Sequence, residues 1–181
     1  LSRSDTRKAS RIAERTGVVF SGTGFSLENV SSDQLIAAIA YVAEAARAWA
    51  NAVMLAADQR RARTIAEQVG ERLKRVFPAR CIGAERELLG ASNKRHRFDF
   101  VVDLAGERRA VFEIVSAAPV SLAATHLKFY DLGQAHAEWP REAVAETLEE
   151  WNAEDVAVLS QVATHMRDLY SDWADLKRYA A

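Results

Sequence analysis

The apolar positions of the chain follow two periods, which divide it into a helical part and a strand-rich part. No proline occurs from about residue 34 to residue 77, and in this stretch apolar side chains recur at alternating steps of four and three. The first set is Leu35, Ile39, Val42, Ala46, Trp49 and Val53, and a second set in shifted phase is Ala62, Ala66, Val69, Leu73 and Val76. This spacing predicts the packed face of a long helix. Either one helix rotates its apolar face, or two helices meet near Asp58.

Shorter elements flank the long helix. A short capped helix ending at Gly17 and a small hairpin around residues 21–24 are expected before it. After Pro78, alternating apolar residues predict strands over residues 80–89, 96–104 and 109–115. The segments that follow are predicted as a helix over residues 119–132, an ambiguous stretch over 140–150, and a final helix capped by Asn152 that continues to Tyr179.

The order of these elements predicts the fold class. If residues 143–148 form a last buried strand, the order is long helix, three strands, helix, strand and helix. We therefore predict an α/β (α+β) protein with a small mixed sheet flanked by helices. Its α-β-β-β-α-β core has the order of restriction-endonuclease-like folds. Pro78 suggests a division into an N-terminal helical region, residues 1–77, and an α/β core, residues 78–181.

The strongest pointer to chemistry is a predicted hairpin that carries an acidic residue in the middle of each apolar strand. If the strands pair symmetrically about Gly106, Asp99 lies opposite Glu113. The same symmetry pairs Phe100 with Phe112, Val101 with Val111, and Asp103 with Arg109. Like charges directly opposite each other are unfavourable. The pair therefore indicates either a bound metal ion or a half-buried sheet face neutralised by Arg97 and Arg109, and we favour the second interpretation.

Residues 90–131 resemble a set of bacterial and phage-borne proteins known only as domains of unknown function. The shared features are a Gly-x-Ser/Asn turn at Gly90, a His-x-Phe-Asp-Phe strand that begins at His96, and a helix ending in an aromatic residue and Asp131. The helical residues 7–53 are similar to the middle region of the same proteins. This resemblance implies no particular activity.

A looser resemblance is to the PD-(D/E)XK nucleases. Asp99 matches the first acid of their motif, and Glu113, after thirteen intervening residues, matches the second. The motif places a lysine two residues after the second acid, where this chain has Val115. Such a lysine stabilises the charge that develops at the scissile phosphate. The resemblance implies Mg²⁺ held by Asp99 and Glu113, with Lys128 on the following helix in place of the missing lysine.

Two further groups of charged residues bear on this site. Glu67 or Glu71 on the long helix is a candidate for a third acid. A basic cluster comes directly before the acidic strand, and its members Lys94, Arg95 and Arg97 are candidates for contact with nucleic-acid phosphates. A solvated turn is the alternative interpretation of this cluster.

Composition narrows the class of protein. Of the 181 residues, 49% are apolar and 27% charged, which is typical of a globular chain. A net charge of −1 argues against general polyanion binding but leaves room for a local basic patch. The single cysteine, Cys81, excludes an internal disulfide and favours a cytoplasmic location. The chain has neither a run of about 18 apolar residues nor a signal-peptide pattern, so we expect no membrane span. Its first residue, Leu1, suggests that upstream residues are missing.

Three functions follow from these patterns. The leading hypothesis is a degenerate nuclease-like protein of phage, defence or mobile-element origin that binds nucleic acid or a protein partner without efficient cleavage. The first alternative is an active nuclease that uses a divalent metal with Asp99, Glu113 and Lys128. The second is an assembly module that forms a homo-oligomer through the alanine-rich face of the long helix, which charged residues at Val42 and Trp49 would disrupt.

Overall fold

The computed structural model of the chain describes residues 3–179, in which four α-helices and two β-sheets are present. The helices are α1 (Arg3–Thr16), α2 (Leu35–Val76), α3 (Pro119–Ala135) and α4 (Ala153–Ser160). The strands are β1 (Val19–Phe20), β2 (Phe25–Ser26), β3 (Ile82–Leu89), β4 (Arg95–Asp103), β5 (Arg109–Ile114), β6 (Arg141–Ala145) and β7 (His165–Asp168). The mixed α+β class is confirmed, and from α2 to β6 the element order is α-β-β-β-α-β. Among residues 3–179, no helix has the length and apolar character needed to cross a membrane.

The chain divides into two compact units, and the division between Ala62 and Arg63 falls inside α2. Because α2 is one continuous helix, the interpretation that two helices meet near Asp58 is wrong. The apolar face instead shifts its phase along a single helix. The proposed division into residues 1–77 and 78–181 stays a prediction.

In the first unit, α1, the β1–β2 hairpin and the beginning of α2 enclose a small apolar cluster. Val42 and Trp49 of α2 belong to this cluster. The Trp49 ring lies 6.3 Å from the ring of Phe20 and 6.1 Å from that of Phe25, measured between centroids. Part of the apolar face that we assigned to self-association is therefore covered within the unit.

In the second unit, the five strands β3 to β7 form one mixed sheet in chain order. Strands β3, β4 and β5 are antiparallel, whereas β5, β6 and β7 are parallel. Parallel neighbours require a crossover connection, which α3 supplies between β5 and β6 and α4 between β6 and β7. One face of the sheet packs on α3 and α4, and the other packs on the end of α2 and on residues 169–179.

The C-terminal region differs from the sequence-based expectation. We predicted one helix from Asn152 to Tyr179, but α4 ends at Ser160 and β7 follows it. The difference arises because the free edge of β6 forms backbone hydrogen bonds with the residues that follow α4. The Leu169 amide donates to the Ala145 carbonyl at 2.8 Å. Apolar spacing alone does not reveal such a tertiary hydrogen bond.

Candidate functional site

Asp99 and Glu113 meet where the β4–β5 ladder stops. The predicted register is present, with Phe100 opposite Phe112 as its last pair. Beyond that pair, Asp99 Oδ2 accepts a hydrogen bond from the Ile114 amide at 2.7 Å. Glu113 Oε2 accepts one from the Asp99 amide at 3.3 Å. Each carboxylate therefore binds the backbone of the neighbouring strand, in place of the missing ladder bonds.

The regular alternation of β4 breaks at Asp99. Phe98 packs in the core cluster with α3, whereas Phe100, two residues later, packs in the cluster with α2. In a regular strand these two side chains would share a face. We expected Arg97, Asp99, Val101 and Asp103 to lie together on one face, and this expectation is wrong. On β3, Glu85 falls between the residues that pair with Phe98 and Phe100, and its φ is 52°. This conformation is rare for a residue with a side chain.

Lys128 is in direct contact with Glu113. It reaches down from α3 and donates to Glu113 Oε1. The Glu113 side chain is 8% exposed and that of Lys128 is 26% exposed. Arg97 instead forms an ion pair with Glu85 at 2.9 Å. Arg109 forms one with Asp103 at 3.0 Å. The contact that we expected from Arg97 and Arg109 is therefore made by Lys128.

The electrostatics of the site oppose ionisation of both acids. Burial, and then the charge of Asp99, raise the pKa of Glu113 to about 7, although Lys128 acts in the opposite direction. Burial also raises the pKa of Asp99, which the Ile114 amide and then Lys128 oppose. A second cation near the carboxylates would favour their ionised forms. Acids with raised pKa values are common in functional sites.

The two carboxylates suit a hard divalent cation. Mg²⁺ is bound through oxygen ligands, often one or two carboxylates together with water and substrate phosphate. Asp99 and Glu113 can supply two such groups. Within residues 3–179, no cluster of three or more His, Cys, Asp or Glu side chains is placed to hold a metal ion. Glu67 and Glu71 line a cavity of about 720 Å³ that also includes Asp99 and Glu85 in its wall.

The basic candidates precede Asp99 in the chain, two of them at the beginning of β4 and one directly before it. Lys94, Arg95 and Arg97 are all exposed. Arg95 is four residues before Asp99, about 13 Å away along an extended strand. These side chains therefore lie away from the carboxylates rather than beside them.

The sequence did not reveal the partner of His96. We found no nearby group that would polarise this histidine, but its Nε2 lies 2.7 Å from Asp131 Oδ2 on α3. Asp131 follows Lys128 by three residues, so both lie on neighbouring positions of one helix surface. The three-residue spacing of Lys128 and Asp131 could have predicted this contact. A helix that turns Lys128 toward the sheet also brings Asp131 near the sheet.

The raised pKa of Glu113 predicts a pH-dependent stability. The fold favours the protonated form of Glu113. The stability that this protonated form contributes is therefore fully present below pH 4.5 and is lost as the pH rises through about 7. The substitution Glu113→Gln removes this loss. We expect the variant to be more stable than the wild type by about 3 kcal/mol at pH 8 and nearly equal to it at pH 4.5. Urea unfolding at the two pH values measures the difference.

The exposed acid Glu85 provides the control for this experiment. The substitution Glu85→Gln should change stability by less than about 1 kcal/mol, since an exposed ion pair contributes little. A difference between wild type and Glu113→Gln that does not vary with pH would contradict the assigned environment of Glu113.

Comparisons with known proteins do not assign the chain to a family. No protein-family model matches the chain, and neither the curated proteins nor the solved structures gave a match. The resemblances to the domains of unknown function and to the PD-(D/E)XK nucleases therefore remain predictions.

Proposed function

We propose that the chain is a divalent-metal-dependent nuclease of the PD-(D/E)XK type, in which Lys128 replaces the lysine of the motif. The observation that carries the proposal is the contact of Lys128 with Glu113, directly beside Asp99. The usual lysine position is occupied by Val115, which is buried in the core. Lys128 places an amino group beside Glu113 from α3 instead of from the strand position of Val115.

Burial of these charges supports a functional role over a purely structural one. Burying an ion pair gains little stability, because desolvation offsets the attraction of the charges. Here one lysine contacts Glu113 and acts on Asp99 only through its charge, and the pKa of Glu113 remains raised. An apolar side chain in place of Glu113 would avoid the free energy of desolvating a carboxylate. The arrangement is better explained by chemistry that needs both carboxylates.

Each residue has a distinct role in the proposed reaction. Asp99 and Glu113 would hold Mg²⁺ through carboxylate oxygens. When bound, such an ion polarises a phosphoryl oxygen and lowers the pKa of a water molecule. The Lys128 ammonium group, next to Glu113, would donate to a non-bridging oxygen of the scissile phosphate and stabilise its developing charge.

The proposed substrate is nucleic acid, bound through its phosphates. Arg95 and Arg97 on β4, and Lys94 directly before it, supply exposed positive charge near the strand that carries Asp99. Contacts from such residues position a backbone without reading its sequence. Binding should therefore weaken steeply as salt is added. A non-cleaving nucleic-acid or protein binder, our leading hypothesis from the sequence, uses the same surface and is the alternative outcome of the activity assay.

Removal of Lys128 tests the proposed chemistry. The substitution Lys128→Ala should lower kcat for phosphodiester cleavage by about 100-fold or more, since it removes a donor to the developing charge. The measurement is cleavage of labelled single-stranded and duplex DNA and RNA in Mg²⁺ or Mn²⁺. The substitution Lys177→Ala, at an exposed lysine of the C-terminal 3-10 helix, is the matched control and should keep full activity.

The wild-type protein decides between the candidate functions in the same assay. Salt-sensitive binding of these nucleic acids without cleavage would favour the non-cleaving alternative. Absence of both binding and cleavage would reject a nucleic-acid function for this site.

We also propose that α2 forms a homo-oligomer through its exposed apolar residues. Ile36 is 85% exposed and Met54 is 65% exposed, and both lie on one side of the helix with Ile39. Covering this surface against a second copy would remove apolar area from water. The proposed surface differs from the Val42 and Trp49 positions, which pack inside the first unit.

Charged substitutions on this surface test self-association. The double change Ile36→Glu and Ile39→Glu should convert an oligomer to a monomer, because two buried carboxylates would be unpaired in the interface. Sedimentation velocity measures the change, and Gln59→Glu on another side of α2 is the control. A wild-type protein that is monomeric at all tested concentrations would refute the proposal.

A further inference from the structure

A second polar cluster ties α3 to the sheet three residues after Lys128. The Asp131 carboxylate is its centre. His96 Nε2 lies 2.7 Å from Asp131 Oδ2, and the Ser92 hydroxyl donates to the same oxygen at 2.7 Å. The Ser92 amide donates to Asp131 Oδ1 at 2.8 Å. The backbone joins this contact, because the Ala91 amide donates to the Asp131 carbonyl at 3.1 Å.

The turn before β4 approaches Asp131 very closely. A Cβ atom at Gly90 would overlap the Asp131 carboxylate, so this position requires glycine. His96 and Asp131 are both buried, and buried polar groups with complete hydrogen bonding hold a single geometry. The cluster of Ser92, His96 and Asp131 therefore fixes where α3 lies along β4.

The same two elements also meet at aromatic residues next to Lys128. Phe98 follows His96 on the α3 face of β4, and its ring stacks on Phe129 with a centroid distance of 6.2 Å. The Lys128 Nζ lies 5.8 Å from the centre of the Phe98 ring. Ring packing tolerates sliding and rotation, whereas the hydrogen bonds of Asp131 have fixed directions. The polar cluster is therefore the part of this contact that defines the rotation of α3.

We propose that Asp131, held by His96 and Ser92, is the positioning residue that presents Lys128 to Glu113. The effect of this positioning on catalysis rests on the proposed nuclease function. The contact between Asp131 and the sheet does not depend on that function. A role in direct catalysis does not fit the geometry. The Ser92 hydroxyl binds Asp131 rather than His96, and the His96 side chain is 4% exposed.

Two variants of Asp131 test the proposal. We expect the ion pair with Glu113 to shield the Lys128 amine from acetic anhydride in the wild type. The substitution Asp131→Ala should raise the acetylation rate of Lys128 toward that of exposed Lys94, as measured by mass spectrometry of the folded protein. It should also lower kcat by about 10- to 100-fold with KM unchanged, because small displacements of a catalytic group are costly. Asp131→Asn keeps an acceptor for the Ser92 amide and should restore much of both readouts.

Controls separate positioning from general stability. Leu169→Ala removes a fully buried side chain on the opposite face of the sheet, so it should destabilise the fold without altering Lys128 acetylation. If Asp131→Ala does not fold, Ser92→Ala provides a milder test, since Ser92 is exposed and loses one hydrogen bond to Asp131.

The outcomes distinguish this inference from the proposed function. Unchanged Lys128 acetylation in folded Asp131→Ala or Ser92→Ala would overturn the positioning role, even if the wild type cleaves DNA. Increased acetylation in a protein whose wild type cleaves no nucleic acid would support the positioning role and reject the nuclease function.

Discussion

The ion pair between Lys128 and Glu113 is the interaction on which the account of this site depends. Two acids lie on adjacent strands at a largely buried position, and a charge buried without partners would be strongly unfavourable. Asp99 and Glu113 avoid this by accepting hydrogen bonds from each other's strand. Lys128 supplies a positive charge from the helix above. These contacts keep the acids in place, although the raised pKa of Glu113 shows that compensation is incomplete.

The topology of the sheet explains why a lysine on α3 can reach this position. Strands β5 and β6 are parallel, so the chain must cross over one face of the sheet between them. The crossover contains α3, which begins five residues after β5 ends, packs on the apolar face of the sheet and places Lys128 against Glu113. Hydrogen bonds from the β3–β4 turn and from His96 then hold the far part of α3. The sheet carries the two acids, and its crossover helix carries the lysine cation.

Local sequence patterns predicted much of this arrangement. The register of the β4–β5 hairpin followed from symmetry about Gly106, and the element order followed from apolar spacing. The break in alternation at Asp99 was not predictable, because it depends on side-chain hydrogen bonds between strands. The contact of His96 with Asp131 joins residues 35 positions apart. We predicted helix where β7 lies. The pairing with β6 that makes this segment a strand cannot be recognised from the local sequence of β7.

Titration of Mg²⁺ into the wild-type protein, followed by calorimetry, tests for a metal site formed by Asp99 and Glu113. We expect Mg²⁺ to bind and to displace about half a proton at pH 7, because burial raises the pKa of Glu113 to about 7. The measured heat should therefore depend on the buffer, and binding should be lost in Glu113→Gln. Absence of Mg²⁺ binding by the wild type, or equal binding by the two proteins, would contradict a metal site formed by Asp99 and Glu113.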